Sequence, residues 1–189
     1  MAMQPDEVLA ILRETGVIRE GHFLLTSGMH SDRFLLLAQA LQYPRHAERL
    51  CREMAEPFRE AGVEVVVGPA VGGIILAYEV ARALGARAIF AEKVEGGMAL
   101  RRGFAIRPGE RVLVVEDAIS TGGSVRKVLE AIAPFGPEVV GVSALVDRTG
   151  GQVDFGVPTR AVLTLSIPAW SPEECPLCRA GVELVRPKG

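Results

Sequence analysis

The chain has 189 residues, of which 49% are hydrophobic and 23% charged, and its formal net charge is −2 at pH 7. This length suits one globular domain, and a charge near zero argues against a general nucleic-acid-binding surface. No apolar stretch is long enough to span a bilayer, and the N-terminus lacks a secretory hydrophobic segment. We therefore expect a cytoplasmic protein without nucleic-acid or membrane partners.

Helices and strands are predicted to alternate along most of the chain. An N-terminal helix is expected near residues 5 to 15, and two short strands should flank Ser27-Gly28-Met29-His30. The spacing of apolar residues then predicts helix 44–60, strand 63–67, helix 73–84, strand 87–91, strand 111–116, helix 123–133, strand 138–146 and strand 160–165. This order predicts an α/β fold with a mostly parallel sheet, helices on both faces and ligands at the carboxyl ends of the strands.

Residues 112 to 124, VLVVEDAISTGGS, carry the most informative pattern. An apolar strand ends at two acids, Glu116 and Asp117, which are expected to be exposed and which suit sugar hydroxyls or Mg²⁺. A turn that opens a helix offers free backbone N–H groups and the positive end of the helix dipole to a phosphate monoester. This turn comprises Ala118, Ile119, Ser120, Thr121, Gly122, Gly123 and Ser124. The segment could therefore hold a ribose 5-phosphate at both ends.

Two further strand ends carry small or cationic residues. Strand 63–67 runs into a glycine-rich turn at residues 68 to 73, which is either a second anion cradle or a tight turn without a ligand. Strand 87–91 leads into residues 92 to 103, which contain adjacent glycines and two neighbouring arginines. We expect this segment to be a mobile lid that brings cations over a pyrophosphate, with a plain solvated hairpin as the alternative.

The three cysteines are expected to have no catalytic role. Cys51 falls on the apolar stripe of helix 44–60 and should pack in the core. Cys175-Pro-Leu-Cys178 has the spacing of half a zinc site. Because the three histidines are scattered through the first quarter of the chain, no second ligand pair is expected, and a local turn is the preferred interpretation.

Together these segments resemble the orotate phosphoribosyltransferases, which are type I phosphoribosyltransferases, over nearly the whole chain. The apolar strand, the acid pair and the Ser120 turn resemble the family's phosphoribosyl diphosphate (PRPP) motif. Other matching segments are His22 to Gly28 with Ser31 (a hood hairpin), Val67 to Ala70 (a pyrophosphate loop) and the pair Asp147-Arg148. Phe90 to Lys93 and Leu100 to Phe104 resemble a branch of the family whose members also carry a Cys-Pro-x-Cys tail.

The resemblance implies one domain over residues 1–189, with a hood of about residues 1–40 plus the C-terminal tail and a core of about residues 44–166. It implies transfer of the phosphoribosyl group from PRPP to orotate in pyrimidine synthesis, with Mg²⁺ held mainly by PRPP near Glu116 and Asp117. It also implies a homodimer with shared active sites. A purine phosphoribosyltransferase and a PRPP-binding regulator remain the alternatives.

The resemblance also assigns roles to residues. Glu116, Asp117 and Lys93 would be catalytic, and the peptide between Ala70 and Val71 would be cis. The implied pyrophosphate-binding residues are Ala70, Val71, Gly72, Lys93, Arg101 and Arg102. The implied orotate-binding residues are Thr26, Ser27, Gly28, Phe34, Ser120 and Arg148. Thr26, Gly72 and Glu92 stand where many members have a basic residue, and the K-x-H signature of the loop is missing, so cationic contacts to pyrophosphate must be redistributed.

Overall fold

A six-stranded sheet forms the centre of the fold, and the structure, a computed structural model, describes residues 3–25 and 27–187. The strands are β1 Ile18–Leu24, β2 His30–Leu35, β3 Val65–Pro69, β4 Arg87–Val94, β5 Gly97–Leu100, β6 Arg111–Ile119, β7 Glu138–Asp147 and β8 Thr159–Thr164. The helices are α1 Pro5–Glu14, α2 Ala38–Leu41, α3 Pro44–Ala55, α4 Gly73–Leu84, α5 Gly123–Ile132 and α6 Pro176–Arg179. Short 3-10 helices cover Glu56–Ala61 and Ala133–Phe135.

The strand order in the main sheet is β5-β4-β3-β6-β7-β8, and every pairing except the edge pair β4–β5 is parallel. Parallel sheets need both faces covered, which explains why central strands such as β6 are nearly continuous apolar runs. One face packs on α1, α3 and α4, and the other packs on α5. The predicted fold class is confirmed, and so is the burial of Cys51, which is 0% exposed in the first of these cores.

The hood hairpin is a separate antiparallel pair, β1 with β2. The C-terminal tail returns to this hairpin, because Val185 bridges to Phe23 and Trp170 bridges to His30. The hairpin and the tail therefore form one layer above the carboxyl ends of the main strands.

The predicted elements differ from the structure at several points. Helix 44–60 ends at Ala55 and continues as a 3-10 helix, because Pro57 lacks the N–H that an α-helix would use. The short helix α2 was not predicted. Strand β6 extends through Ile119, so Ala118 and Ile119 belong to the strand and the turn itself spans residues 120–122.

A buried carboxylate ties the beginnings of the central strands together. Glu110 is 4% exposed and accepts hydrogen bonds from Arg87 Nη2 at 2.7 Å and from the Arg107 backbone N–H at 2.8 Å. Burial alone would raise the pKa of Glu110, but the bonds from Arg87 and Arg107 outweigh it and lower that pKa to about 2.

In the described ranges, no helix has the length and apolar character needed to cross a membrane.

Candidate active site

The turn after β6 has the geometry of a phosphate cradle. Gly122 is the N-cap of α5 and adopts φ 77°, a left-handed conformation that favours glycine. A Cβ there would lie 2.8 Å from Val153 and 2.9 Å from Phe155, so a larger residue would not fit. A concavity of about 40 Å³ opens at this turn, lined by Glu116, Ala118, Ile119, Ser120, Thr121, Gly122, Gly123, Ser124 and Val125. The first N–H groups of α5 can serve an anion bound there.

A larger cleft of about 870 Å³ lies beside the phosphate turn and shares Ser120 and Thr121 with it. The hood supplies one wall, Leu24, Leu25, Ser27, Gly28 and Phe34, and the tail supplies another, Ile167, Ala169, Arg186 and Pro187. Of the expected orotate-binding residues, Ser27, Gly28, Phe34, Ser120 and Arg148 line this cleft, whereas Thr26 lies outside the described residues.

Arg148 is an uncommitted cation in the wall of the cleft. The register of β6 and β7 pairs Ile119 with Asp147, which places Arg148 next to Ser120. Its backbone N–H donates to Ile119 O at 2.8 Å. The side chain is half-buried, its Nε has no hydrogen-bond partner, and burial lowers the pKa of the guanidinium. No described acid forms an ion pair with it, so an anion in the cleft would supply the missing partner.

Asp147, the residue before Arg148, forms its hydrogen bonds within the protein. The Asp147 carboxylate accepts hydrogen bonds from the backbone N–H groups of Thr149 and Gly151, each at 2.7 Å, and from Thr149 Oγ1 at 2.7 Å. These bonds fix the loop that leaves β7. Asp147 therefore positions the backbone from which Arg148 extends, rather than binding a ligand itself.

The acid pair lies between the two helices that flank β6. Alternation along the strand points Glu116 toward α5 and Asp117 toward the beginning of α4. The Asp117 carboxylate is so close to Gly72 that a Cβ on Gly72 would lie 3.0 Å from Asp117 Oδ2. The sugar site and the loop before α4 are therefore adjacent.

The expectation that both acids are exposed is wrong. Glu116 is 6% exposed and Asp117 is half-buried, because the strand continues past them and the turns on both sides cover them. Burial, followed by the nearby charge of Asp117, raises the pKa of Glu116 to about 8, and burial raises the pKa of Asp117. In this pair one proton is retained near neutral pH, which suits groups that exchange hydrogen bonds with sugar hydroxyls.

The loop between β3 and α4 has the expected backbone. The Ala70–Val71 peptide is cis, which confirms that prediction. Ala70 N donates to Ala91 O at 2.7 Å, which ties the loop to β4. Val71 is 82% exposed, so its side chain takes no part in the core. The loop thus presents its backbone at the same edge of the sheet as Asp117.

The segment predicted as a lid contains an antiparallel hairpin, β4 with β5, at the sheet edge. Its movement over a ligand stays a prediction. Lys93 on β4 pairs with Met98 on β5, and Lys93 is exposed. Arg102 forms an ion pair with Glu92 and lies 5.9 Å from the Phe90 ring centre. Of the three expected pyrophosphate-binding cations, Arg102 is therefore held within the hairpin, while Lys93 and Arg101 form no ion pair with any described acid.

Two features were not predicted from the sequence. Arg186 of the tail lines the cleft, and no local pattern indicated that the tail would return to it. The expectation that no ligand pair accompanies Cys175 and Cys178 is wrong, since His22 and His30 lie beside them in the fold. The one available signal was that both histidines belong to a single predicted hairpin.

Comparisons with known proteins identify the family of the chain. Residues 39–155 match the family model described as a phosphoribosyl transferase domain. The chain is 55% identical over 185 residues to the orotate phosphoribosyltransferase of Pelotomaculum thermopropionicum, a match that covers 98% of this chain and 97% of the relative. The crystal structure of orotate phosphoribosyltransferase from Aeropyrum pernix is similar with a TM-score of 0.72 and 27% identity, over 84% of this chain and 93% of that one.

The fold alone does not select the acceptor base. The adenine phosphoribosyltransferase structure from Rhodothermus marinus is also similar, with a TM-score of 0.64 and 27% identity, over 85% of this chain and 99% of that one. The discrimination comes from the near-full-length relatives of high identity, which include a second orotate phosphoribosyltransferase at 53%, from Caldanaerobacter subterraneus, over 98% of this chain and 97% of the relative. The chain belongs to the orotate phosphoribosyltransferase family.

Proposed function

We propose that this chain transfers the 5-phosphoribosyl group of PRPP to orotate, giving orotidine 5′-monophosphate and pyrophosphate, in cytoplasmic pyrimidine nucleotide synthesis. The observation that carries this proposal is the unpaired, half-buried Arg148 beside the phosphate turn. An anionic acceptor base explains why a cation is kept there without a protein partner. A neutral base would give it no opposite charge.

The phosphate turn and the acids act on the ribose. Backbone N–H groups around Gly122 and the hydroxyls of Ser120 and Ser124 hold the 5′-phosphate, which orients C1′ toward the large cleft. When the bond from C1′ to pyrophosphate breaks, the ring becomes positively charged. Glu116 and Asp117 accept hydrogen bonds from the ribose hydroxyls, and their negative charge favours this state over the neutral ground state.

The leaving pyrophosphate lies between the loop before α4 and the edge hairpin. The backbone at residues 70 to 72 adjoins Asp117, and Lys93 follows the part of β4 that pairs with Pro69. Lys93 and Arg101 are the cations left to offset the charge of the leaving group. The acid pair fits Mg²⁺ carried by PRPP, because its carboxyl groups are side by side and offer the oxygen ligands that this ion prefers, and no described cation forms an ion pair with either acid. When bound, Mg²⁺ supplies positive charge to the pyrophosphate.

The acceptor occupies the large cleft. The planar Arg148 guanidinium pairs with the orotate carboxylate or a ring carbonyl, and the hairpin tip at Ser27 and Gly28 supplies backbone groups on the other side. A ring nitrogen of orotate attacks C1′ directly, so no side-chain nucleophile is needed.

Pyrophosphate release with orotate, hypoxanthine, adenine or uracil as the acceptor separates this proposal from its alternatives. We expect release with orotate alone. Release with a purine would identify a purine phosphoribosyltransferase. PRPP binding without release for any of the four bases would identify a regulator, and either result would contradict the proposal.

We further propose a homodimer in which the β4–β5 hairpin contributes to the neighbouring site. Its support is the exposed position of Lys93 and Arg101 at the edge of the sheet, with no described acid to pair with either. Mixing Lys93→Ala subunits with Glu116→Gln/Asp117→Asn subunits would leave one intact site in each heterodimer. Recovery of activity in the mixture supports shared sites, and no recovery in demonstrated heterodimers contradicts them.

A further inference from the structure

Four potential metal ligands meet between the hood hairpin and the C-terminal tail, away from the phosphate turn. His22 lies on β1 and His30 on β2, while Cys175 is the N-cap of α6 and Cys178 lies within that helix. Their ligand atoms all lie within 4.8 Å of one another. His22, His30 and Cys175 are 2%, 5% and 0% exposed, and none of the cysteines forms a disulfide. Cys178 is exposed. The cluster is thus a Cys₂His₂ set with free thiols, in which three of the four ligands are buried.

The distances match those of a tetrahedral metal site. His22 Nε2 lies 3.0 Å from His30 Nδ1, 3.3 Å from Cys175 Sγ and 3.7 Å from Cys178 Sγ, and Cys178 Sγ lies 3.3 Å from His30 Nδ1. In a tetrahedral zinc site, with Zn–N bonds of about 2.0 Å and Zn–S bonds of about 2.3 Å, ligand atoms are roughly 3.3 to 3.8 Å apart. The two remaining distances both involve Cys175 and are no longer than 4.8 Å. Shifts of about 1 Å, chiefly of the Cys175 thiol, would bring all four ligands into this range.

Hydrogen bonds alone do not account for this convergence. His22 Nδ1 lies 2.8 Å from Val182 O, a carbonyl that can only accept, so His22 carries its proton on Nδ1. The other ring nitrogen, Nε2, faces three further ligand atoms, His30 Nδ1 and the sulfurs of Cys175 and Cys178. A backbone carbonyl bound to the far nitrogen of a histidine is the usual support of a metal ligand, because it fixes the tautomer and the ring orientation.

We propose that His22, His30, Cys175 and Cys178 bind one Zn²⁺ ion per chain. Two thiolates with two imidazoles in tetrahedral order favour Zn²⁺ over Mg²⁺ or Ca²⁺, which prefer oxygen ligands. Four protein ligands leave no open position for water or substrate. The site is therefore structural, and it is separate from the Mg²⁺ that accompanies PRPP.

The ion would fasten the tail to the hairpin. Backbone bonds already join them, from Val185 N to His22 O at 2.8 Å and from Leu24 N to Val185 O at 2.9 Å. Apolar anchoring is weak, because Val182, Leu184 and Val185 are 40–46% exposed. The same two segments wall the acceptor cleft, so the ion would hold both walls of that cleft in place.

The first test is the zinc content of the full-length protein, expressed with zinc in the medium, purified and desalted. We expect one zinc per chain by mass spectrometry of the metal. The Cys175→Ser/Cys178→Ser variant should lose it, and Cys51→Ala, which removes the remaining cysteine from a different core, should keep it. Circular dichroism and size-exclusion chromatography check that each variant is folded.

A second test needs no variant and so does not depend on folding of the serine protein. Reduced wild-type protein stripped with a chelator is titrated with Co²⁺, and we expect one equivalent to give the absorption of tetrahedral cobalt with thiolate ligands. Hydrogen exchange of residues 171–187 should quicken on stripping, while that of β6 should not change.

Two results would overturn the proposal. One is wild-type protein that contains no zinc and takes up no Co²⁺. The other is a Cys175–Cys178 disulfide in freshly purified protein, which would leave one free thiol of the three cysteines after denaturation. Neither result bears on pyrophosphate release, so failure here is distinguishable from failure of the proposed function.

Discussion

Replacing Arg148 by methionine tests the acceptor site most directly, because the change keeps the length of the buried stem and removes only the guanidinium. In the unliganded protein this guanidinium is half-buried, its Nε lacks a partner, and burial lowers its pKa. Its charge is therefore a cost to the empty protein that an anionic ligand offsets. We expect Arg148→Met to leave the free energy of unfolding unchanged or slightly higher.

The same variant, Arg148→Met, should bind orotate more weakly than the wild type. Losing one partner of a desolvated, hydrogen-bonded charge pair costs about 2 to 5 kcal/mol, and about 1.4 kcal/mol corresponds to a factor of ten. Even the lower limit predicts orotate affinity weaker by about 30-fold, while PRPP affinity should stay within a few-fold because the phosphate turn is intact. Arg148→Lys keeps the charge but not the planar guanidinium, so its orotate affinity should lie between those of the wild type and Arg148→Met.

Calorimetric titration with each ligand separately, combined with urea unfolding of the unliganded protein, measures both quantities. Arg45→Met is the matched control, since Arg45 is an exposed arginine on α3 that does not line the cleft. An equal loss of PRPP and orotate binding would assign Arg148 to the phosphate apparatus. A clear loss of stability without ligand would show that it has a structural partner, and either outcome refutes our reasoning.

Three further changes test other parts of the structure. Glu116→Gln/Asp117→Asn should lower turnover by about 100-fold or more with an unchanged circular dichroism spectrum. The pKa of Glu116 is about 8 in the folded protein, above its unfolded value, so the buried charge destabilises the wild type increasingly from about pH 4.5 to pH 8. The variant should therefore be more stable than the wild type at pH 8 but not at pH 4. Gly122→Ala should lower the free energy of unfolding in urea by about 1 to 3 kcal/mol, because its Cβ has no room. Gly123→Ala, whose Cβ would lie 3.6 Å from its nearest neighbour, should lower it less. Equal losses would contradict the steric argument. Glu110→Gln should lower the free energy of unfolding by about 2 kcal/mol at pH 7. This difference from the wild type should disappear as the pH falls from about 4.5 through 2, because the wild-type carboxylate is then protonated. A difference that persists at pH 2 would mean that the arginine partners of Glu110 are not its cause.

Short-range patterns in the sequence predicted the parallel sheet, the turn after β6 and most of the elements in their order, although not the short elements α2, β5 and α6. An apolar run of strand length, two acids and a glycine-rich helix start lie within residues 112 to 124, so one local segment specifies the sugar-phosphate site. The family resemblance, confirmed by the relatives, added the cis peptide between Ala70 and Val71. The binding role that it implies for the hood stays a prediction.

Features that depend on contacts between segments distant in the chain could be seen only in the folded structure. The burial of Glu116 depends on neighbouring turns, and the position of Arg148 beside Ser120 depends on the register of β6 and β7. His22 and Cys175 are 153 residues apart, and their contact exists because the tail folds back along the hairpin. Local propensity carries no information about such a return, since it is decided by backbone pairing and packing between elements that meet only in the folded chain.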